Sequence, residues 1–382
     1  MMESAASLAL IMSCLLLGFS LCACGEQLEG KVQHAFLPAC VEGTGICAES
    51  GNVLAICVDD KRLVGYDISK KAIVWSYAPL PNFLFRLFQG RLLAFTILDK
   101  GSKWVVALDV ATGERVANFK LPADIVAHPD YYVPVLYCTR EAVVVQVAEK
   151  ILLLKCSDGS IIQSSEGWMK ACLLGDYIIG TREDAVFRVL DLKTQKPDLV
   201  KLVDQKGDPR WFIETIGDLL FVFEDCGSPR GKRFKDFCIH VINPQGKELA
   251  KSEVVSIIPR FVSSDRAIYF LSESAQGLIW DIEKGAFGQT QHDFRRPMGS
   301  FSGWLICRDV DERGDVISYT VKRESDGIAE DSVPSTPLKK AGPWFTGKNF
   351  CSFSNIVFGV DLAWVRDVNE KVLLGEPGKP KE

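Results

Sequence analysis

Histidine is scarce in this 382-residue chain, which holds only His34, His128, His240 and His292. They lie far apart, and no His-x-x-x-His or Cys-x-x-Cys pair occurs, so no metal site is expected from spacing. There is no Gly-x-Ser-x-Gly elbow and no Gly-rich loop ending in Lys, which removes the usual signatures of a serine hydrolase and of a phosphate cradle. Net charge is also small, −5 and spread along the chain, where a nucleic-acid binder would carry a basic face. Past residue 24 no apolar run approaches the ~20 residues of a membrane helix, and no long amphipathic helix is legible. Asp309, Asp311 and Gly314 imitate the opening of a calcium loop. Arg313 at the fifth position and Thr320 at the twelfth remove two required oxygens, so a hairpin turn is expected there.

What is present begins with an export signal. Residues 5–21 are almost wholly apolar, too short to span a bilayer comfortably, and end in small residues. Met1-Met2-Glu3-Ser4 carries no basic residue, which is atypical. Leu21-Cys22-Ala23-Cys24-Gly25 resembles a bacterial lipobox, and that resemblance implies a lipid on Cys24 as the mature N-terminus. Gly25 after it resembles the outer-membrane sorting pattern. Cleavage to a soluble secreted product and a retained anchor stay open as alternatives. The expected division is a signal over 1–23, a linker over 24–30, a folded domain over 31–376 and a tail over 377–382.

Thirteen cysteines are many for this length. An exported protein permits disulfides, and two pairs flank short loops: Cys40 with Cys47, and Cys226 with Cys238. Cys57, Cys138, Cys156, Cys172 and Cys307 sit in apolar runs and read as small buried hydrophobes.

The dominant feature is a repeat. A hydrophobic strand runs into an Asp-led turn and out into another strand, clearest at Gly65-Tyr66-Asp67 and at Ala107-Leu108-Asp109. Anchors at Asp67, Asp109, Lys155, Asp191, Asn243, Asp281, Lys322 and Asp367 recur about every 43 residues, within the range of propeller blades. Each unit reads as short strands rich in β-branched and aromatic residues, apolar on both faces. Such a sheet cannot bury itself, so copies must stack and close about an axis. The expected fold is all-β: an eight-bladed β-propeller of four-stranded antiparallel blades. The last blade shows three evident strands (355–360, 363–366 and 371–374), and residues 31–37 are expected to supply its fourth and latch the ring. In each turn the Asp caps backbone N–H groups. Trp75 is expected to pack between blades, with Ala117, Gln163 and Leu199 replacing it later.

Asp67…Trp75 and Ala107-x-Asp109-x-x-Thr112-Gly113 resemble the Ala-x-Asp-x-x-Thr-Gly-x-x-x-Trp repeat of PQQ-like, quinoprotein-type β-propellers. With the lipoprotein signal and the chain length, the pattern also resembles the BamB-like lipoproteins of outer-membrane barrel assembly. That resemblance implies a periplasmic scaffold that docks protein partners through loops on one face, without catalysis. A PQQ dehydrogenase is disfavoured: the enzymes so resembled are longer and carry an adjacent Cys-Cys pair, absent here. No cofactor is expected. A glycan-active hydrolase or lyase with its site in the central funnel remains the alternative, since a carboxylate pair assembled from distant blades leaves no trace in sequence.

Two segments stand out as candidate partner contacts. Arg230, Lys232, Arg233 and Lys235 concentrate positive charge around Phe234, suited to an acidic partner or anionic surface. Residues 332–348 hold Pro334, Pro337 and Pro343 and read as a surface loop. Exposed, Trp344 and Phe345 there would form a binding hot spot; tucked over the ring, they would be core lids.

Overall fold

The computed structural model describes residues 31–37, 45–58, 62–77, 83–99, 101–122, 133–182, 185–204, 211–227, 235–272, 277–290, 292, 294, 296–311, 316–334, 344–347, 349–353 and 356–370. The signal, Cys24, the linker and the C-terminal tail lie outside them.

Strands of three to nine residues follow one another as antiparallel meanders. The sheet built from Gly45–Ser50, Val53–Val58, Arg62–Asp67 and Ala72–Tyr77 sets the pattern. Comparable four-stranded sheets cover residues 83–120, 135–166, 170–204 and 297–334, and an eight-stranded sheet covers 211–289. Alternation explains why these sheets stack. All six residues of Val53–Val58 are buried. Leu54, Ile56 and Val58 point one way, into a core shared with Phe345, Phe350 and Val357. Ala55 and Cys57 point the other way, against Leu93, Phe95 and Val106 of the next sheet. Both faces are apolar, so each sheet needs a neighbour on either side.

The last sheet is assembled from both ends of the described chain. Gln33–Phe36 pairs antiparallel with Ile356–Gly359, in register Gln33↔Gly359 to Phe36↔Ile356, beside Phe350–Phe353 and Trp344–Thr346. Its strands therefore differ from those read in the sequence. Residues 363–366 were expected as a strand but belong to the helix Ala363–Val368. Leu362, Val365 and Val368 fall three apart, the spacing of a helical face, and all three enter the core beside Leu37. Asp367 is accordingly no strand-turn Asp; its carboxylate pairs with Lys71 at 3.3 Å. The expected strand at 371–374 lies outside the described residues. Asn369 Nδ2 donates to the Phe36 carbonyl at 2.8 Å, which ties the helix end to the N-terminal strand.

The turn carboxylates act as local caps. Asp67 Oδ1 accepts from the N–H groups of Ser69 and Lys70 at 3.0 and 3.1 Å. Asp109 Oδ1 accepts from Ala111 and Thr112 at 3.0 and 3.2 Å, and Asp191 Oδ1 from Lys193 and Thr194 at 2.8 and 3.1 Å. Asp281 accepts from Lys284 N–H at 3.0 Å. These are Asx turns, which replace backbone pairing where the chain reverses. One anchor shifts by a residue. The N–H of Gly327 donates to Arg323 O, as Gly113 does to Asp109 O and Gly285 to Asp281 O, so Arg323 rather than Lys322 holds the anchor position. Where the anchor is basic, as at Lys155 and Arg323, the capping Asp sits three residues on. Asp158 caps Ser160 at 2.8 Å and Asp326 caps Ile328 at 3.0 Å.

Trp75 is buried and bridges two sheets: its Nε1 donates to Val110 O at 2.8 Å. Its ring lies over Gly65 and over Gly113 of the next turn, where an added Cβ would come within 2.1 and 2.4 Å of it. Gly113 also has φ +73°, so both sterics and backbone demand glycine there. Later sheets use other side chains for the same cover. Phe119 lies over Gly159, Leu202 over Gly246 and His292 over Gly327. None of these stands eight residues beyond its anchor, which is why a search at that offset finds only Trp75.

Candidate functional site

The eight-stranded sheet departs most from the pattern. Lys235–Ile242 forks: His240, Val241 and Ile242 pair with Glu248–Lys251, whereas Lys235, Asp236 and Phe237 pair with Val255–Ile257 of the following strand. The fork is stitched by Ser252. Its N–H donates to Ile239 O at 2.9 Å, and its Oγ accepts from Ile239 N–H at 2.9 Å.

Beside this fork, strand alternation gathers a set of chemically active side chains. Leu219–Asp225 pairs with Lys235–Ile242 in the register Glu224↔Cys238 and Val222↔His240. Residues two apart share a face, and so do residues opposite one another, so Glu224, Cys238 and His240 lie together. The other face carries Phe223, Phe237, Ile239 and Val241 into the core. His240 is buried between two carboxylates: Nε2 lies 3.0 Å from Glu224 Oε2, and Nδ1 lies 2.7 Å from Glu248 Oε2. Lys251 Nζ stands 3.5 Å from the same Glu224 oxygen. Donor atoms of Glu224, Cys238 and His240 all fall within 4.8 Å of one another. The His240 hydrogen bond holds the Glu224 carboxyl below its ordinary range, partly offset by burial and aided by Lys251. Burial pushes the Cys238 thiol up.

The expected Cys226–Cys238 disulfide is not formed; both are thiols. The reason is directional. Cys238 Sγ donates to Ser252 O at 3.0 Å, while Cys226 Sγ points to Glu224 O at 3.5 Å. Cys226 sits opposite Asp236, to whose carbonyl its N–H donates at 2.8 Å. The other candidate pair involves Cys40, outside the described residues; Cys47 is buried, with its thiol 3.6 Å from Gly45 O.

Of the basic group, Arg230, Lys232, Arg233 and Phe234 lie outside the described residues, and Lys235 opens the strand Lys235–Ile242. Residues 332–348 are not one long loop: Ala329–Pro334 and Trp344–Thr346 are strands. Phe345 is 3% exposed and its ring centroid lies 6.0 Å from that of Phe350, so it is a core residue rather than an exposed hot spot. The side chain of Trp344 is outside the description.

A second polar cluster is structural. Glu324 Oε1 accepts from Tyr269 OH at 2.8 Å and Ser264 Oγ at 2.5 Å, joining the 211–289 sheet to the 297–334 sheet. Burial, with Glu324 adding to it, raises the Tyr269 hydroxyl far above its ordinary value, so it stays a donor. Glu324 follows the anchor Arg323, where other turns carry Ile68, Val110 or Leu192. It is a polar bridge in an apolar position.

Sequence reading missed the Glu224–Cys238–His240 set because it looked for helical and knuckle spacings. The legible signal was a Glu near the end of one strand and Cys-x-His on the next, across a hairpin.

No family model matches this chain, and no curated protein matches it. Solved structures do. BamB from Moraxella catarrhalis is 12% identical, with 86% of this chain and 98% of that one covered at a TM-score of 0.52. The computationally designed Ika8 protein is 12% identical, with 91% and 99% covered at 0.54. The WD40 domain of SCAP from fission yeast is 11% identical, with 87% and 99% covered at 0.55. At such identities the likeness shows the fold, and the class it defines is the β-propeller. Nothing narrower than that class, neither PQQ-like nor BamB-like, follows from it.

Proposed function

We propose that this chain is an exported, lipid-anchored, eight-bladed propeller that serves as a non-catalytic protein-binding scaffold in the cell envelope. The observation that carries the reading is that the repeat residues are consumed by architecture. Asp67, Asp109, Asp191 and Asp281 cap their own turns, and Trp75 fills the gap between sheets. In the sequence, positive charge is concentrated where the period breaks, at Arg230, Lys232, Arg233 and Lys235, and this supports a partner contact there.

Eight blades follow if the 211–289 sheet is two blades fused through the Lys235–Phe237 pairing. Apolar clusters then join every successive pair and return from residues 345–368 to residues 46–66. Propeller neighbours that include BamB and a WD40 domain support a binding role. The lipobox-like Leu21-Cys22-Ala23-Cys24 supports anchoring at the periplasmic face of the outer membrane, and the BamB-like resemblance supports a partner in barrel assembly.

Capture of the membrane-extracted protein, with the Cys24→Ala variant as control, tests this reading. Recovery of barrel-assembly subunits, and loss of membrane association in the variant, are expected. Repeated absence of those subunits would remove the assembly role and leave the fold. Deleting residues 31–37 tests closure: a sharply lower melting temperature is expected, and an unchanged one contradicts the latch.

A further inference from the structure

We infer that Glu224, Cys238 and His240 form a binding site for a divalent transition-metal ion of zinc type. The inference is independent of the scaffold reading. Thiolate, imidazole and carboxylate are the donor types that zinc selects. Metal–ligand bonds of ~2.0–2.3 Å in a tetrahedral site place neighbouring donors about 3–4 Å apart. Here the Glu224–His240 separation is 3.0 Å and every donor pair lies within 4.8 Å, so small rotamer adjustments suffice.

Three further features match a metal centre. The first is rigidity. Each ligand sits on a paired strand whose opposite face is core, so the set is held before any ion arrives. A second is the outer carboxylate: Glu248 takes His240 Nδ1 at 2.7 Å, which leaves Nε2 as the atom facing Glu224. Metal-ligating histidines are characteristically oriented in this way, and the partner raises ligand basicity. Charge is the third. One thiolate and one carboxylate neutralise a divalent ion, with the Cys238 proton released on binding. Lys251, half exposed and 3.5 Å from Glu224, is displaced to solvent when the ion takes its place. Three protein ligands leave the fourth position to water.

Without a metal, His240 bridges two carboxylates and the Cys238 thiol donates to Ser252 O; an ion would exchange that one weak hydrogen bond for a thiolate–metal bond. The rival covalent fate of that thiol is a bridge to Cys226.

The full chain, purified with reductant and stripped by a chelator, is titrated with Co²⁺ as a spectroscopic probe. One Co²⁺ per chain is expected, with thiolate-to-cobalt charge-transfer absorption that Zn²⁺ abolishes on displacement. Cys238→Ser removes that absorption and Cys226→Ser keeps it. Glu248→Gln keeps the absorption but weakens apparent affinity by about 10–100-fold, the usual cost of losing an outer-sphere partner. No charge-transfer absorption in the wild type overturns the inference, and so does absorption that survives Cys238→Ser. Should Cys238→Ser fail to fold, unchanged affinity in Glu248→Gln overturns it instead. Recovery of a Cys226–Cys238 disulfide from the unreduced exported protein also does so.

Discussion

The sheets over residues 45–120 and the sheet over residues 211–289 begin from the same repeat and end differently. In the first pair each special residue answers to a neighbour in the fold. Asp109 caps its own turn and accepts from Arg140 in the next sheet at 2.8 Å, while Trp75 reaches across to Val110. In the later sheet the strand Lys235–Ile242 divides between two partners, and a buried histidine stands beside two carboxylates and a thiol. A repeat position that packs can vary only as far as its gap allows. A position at a fork is released from that constraint and can hold chemistry.

The comparison breaks most easily at Trp75. Trp75→Ala opens a hole over Gly65 and Gly113 and removes a buried hydrogen bond. Urea unfolding is expected to show a loss of about 3–5 kcal/mol, the range for deleting a buried large aromatic. A loss below about 1 kcal/mol would mean the sheets collapse to fill the gap. Phe119→Ala is expected in the same range, because its ring covers Gly159 in the same way.

Asp109→Asn comes next. The carboxylate is 1% exposed and takes Arg140 and Arg91, both more than half exposed. The expected loss is about 1–3 kcal/mol, set by charged hydrogen bonds and discounted for the solvent around the arginines. A double-mutant cycle with Arg140→Ala should return a positive coupling; zero coupling would show that the pair is incidental.

Acid titration tests all four turns together. The folded values of Asp67, Asp109, Asp191 and Asp281 are all depressed. For Asp67 the main cause is the Lys70 hydrogen bond, with Ser69 next, and for Asp281 it is Lys284. At Asp109 and Asp191 burial works upward but is outweighed, by Arg140 and Arg91 in one and by the Thr194 and Lys193 N–H groups in the other. A depressed carboxylate contributes stability that is complete above its unfolded value of about 3.9 and fades as pH falls through the folded value. Stability should therefore drop below about pH 4, with a shallower drop when Asp191 and Asp281 are both Asn. An equal slope in that variant would assign acid sensitivity elsewhere.

The smallest effect is expected in the later sheet. Glu248 is half exposed, and in metal-free protein Glu248→Gln should change stability by no more than about 0.5 kcal/mol. A larger loss would make the His240 cluster a structural device like Glu324, and the contrast between the two regions would shrink.

Much of the architecture was legible in residue order. Period-two alternation and turn chemistry are local, so the spacing of Asp67, Asp109, Asp191 and Asp281 announced stacked β-sheets. The failures share a cause. Residues 363–366 look like a strand by composition, yet the Leu362–Val365–Val368 spacing makes a helix over Ala363–Val368 once Leu37 and Phe350 offer it a surface. For Phe345 the sequence left an exposed anchor and a core lid both open, and only the closing of Val357 and Phe350 around it decides for the lid. The candidate site was visible only in part, because Cys226 and Cys238 stood out as a pair while His240 did not.

Sequence alone determined that this chain is a repeated β-meander, since strand faces and Asx turns depend on neighbours one to four residues away. Tertiary structure decided what those strands do to one another. It paired Gln33–Phe36 with Ile356–Gly359, laid Phe119 and Leu202 over distant glycines, and put Glu224, Cys238 and His240 on one face. Each of these rests on register between strands, and register is set by the burial of a whole face rather than by any residue within it.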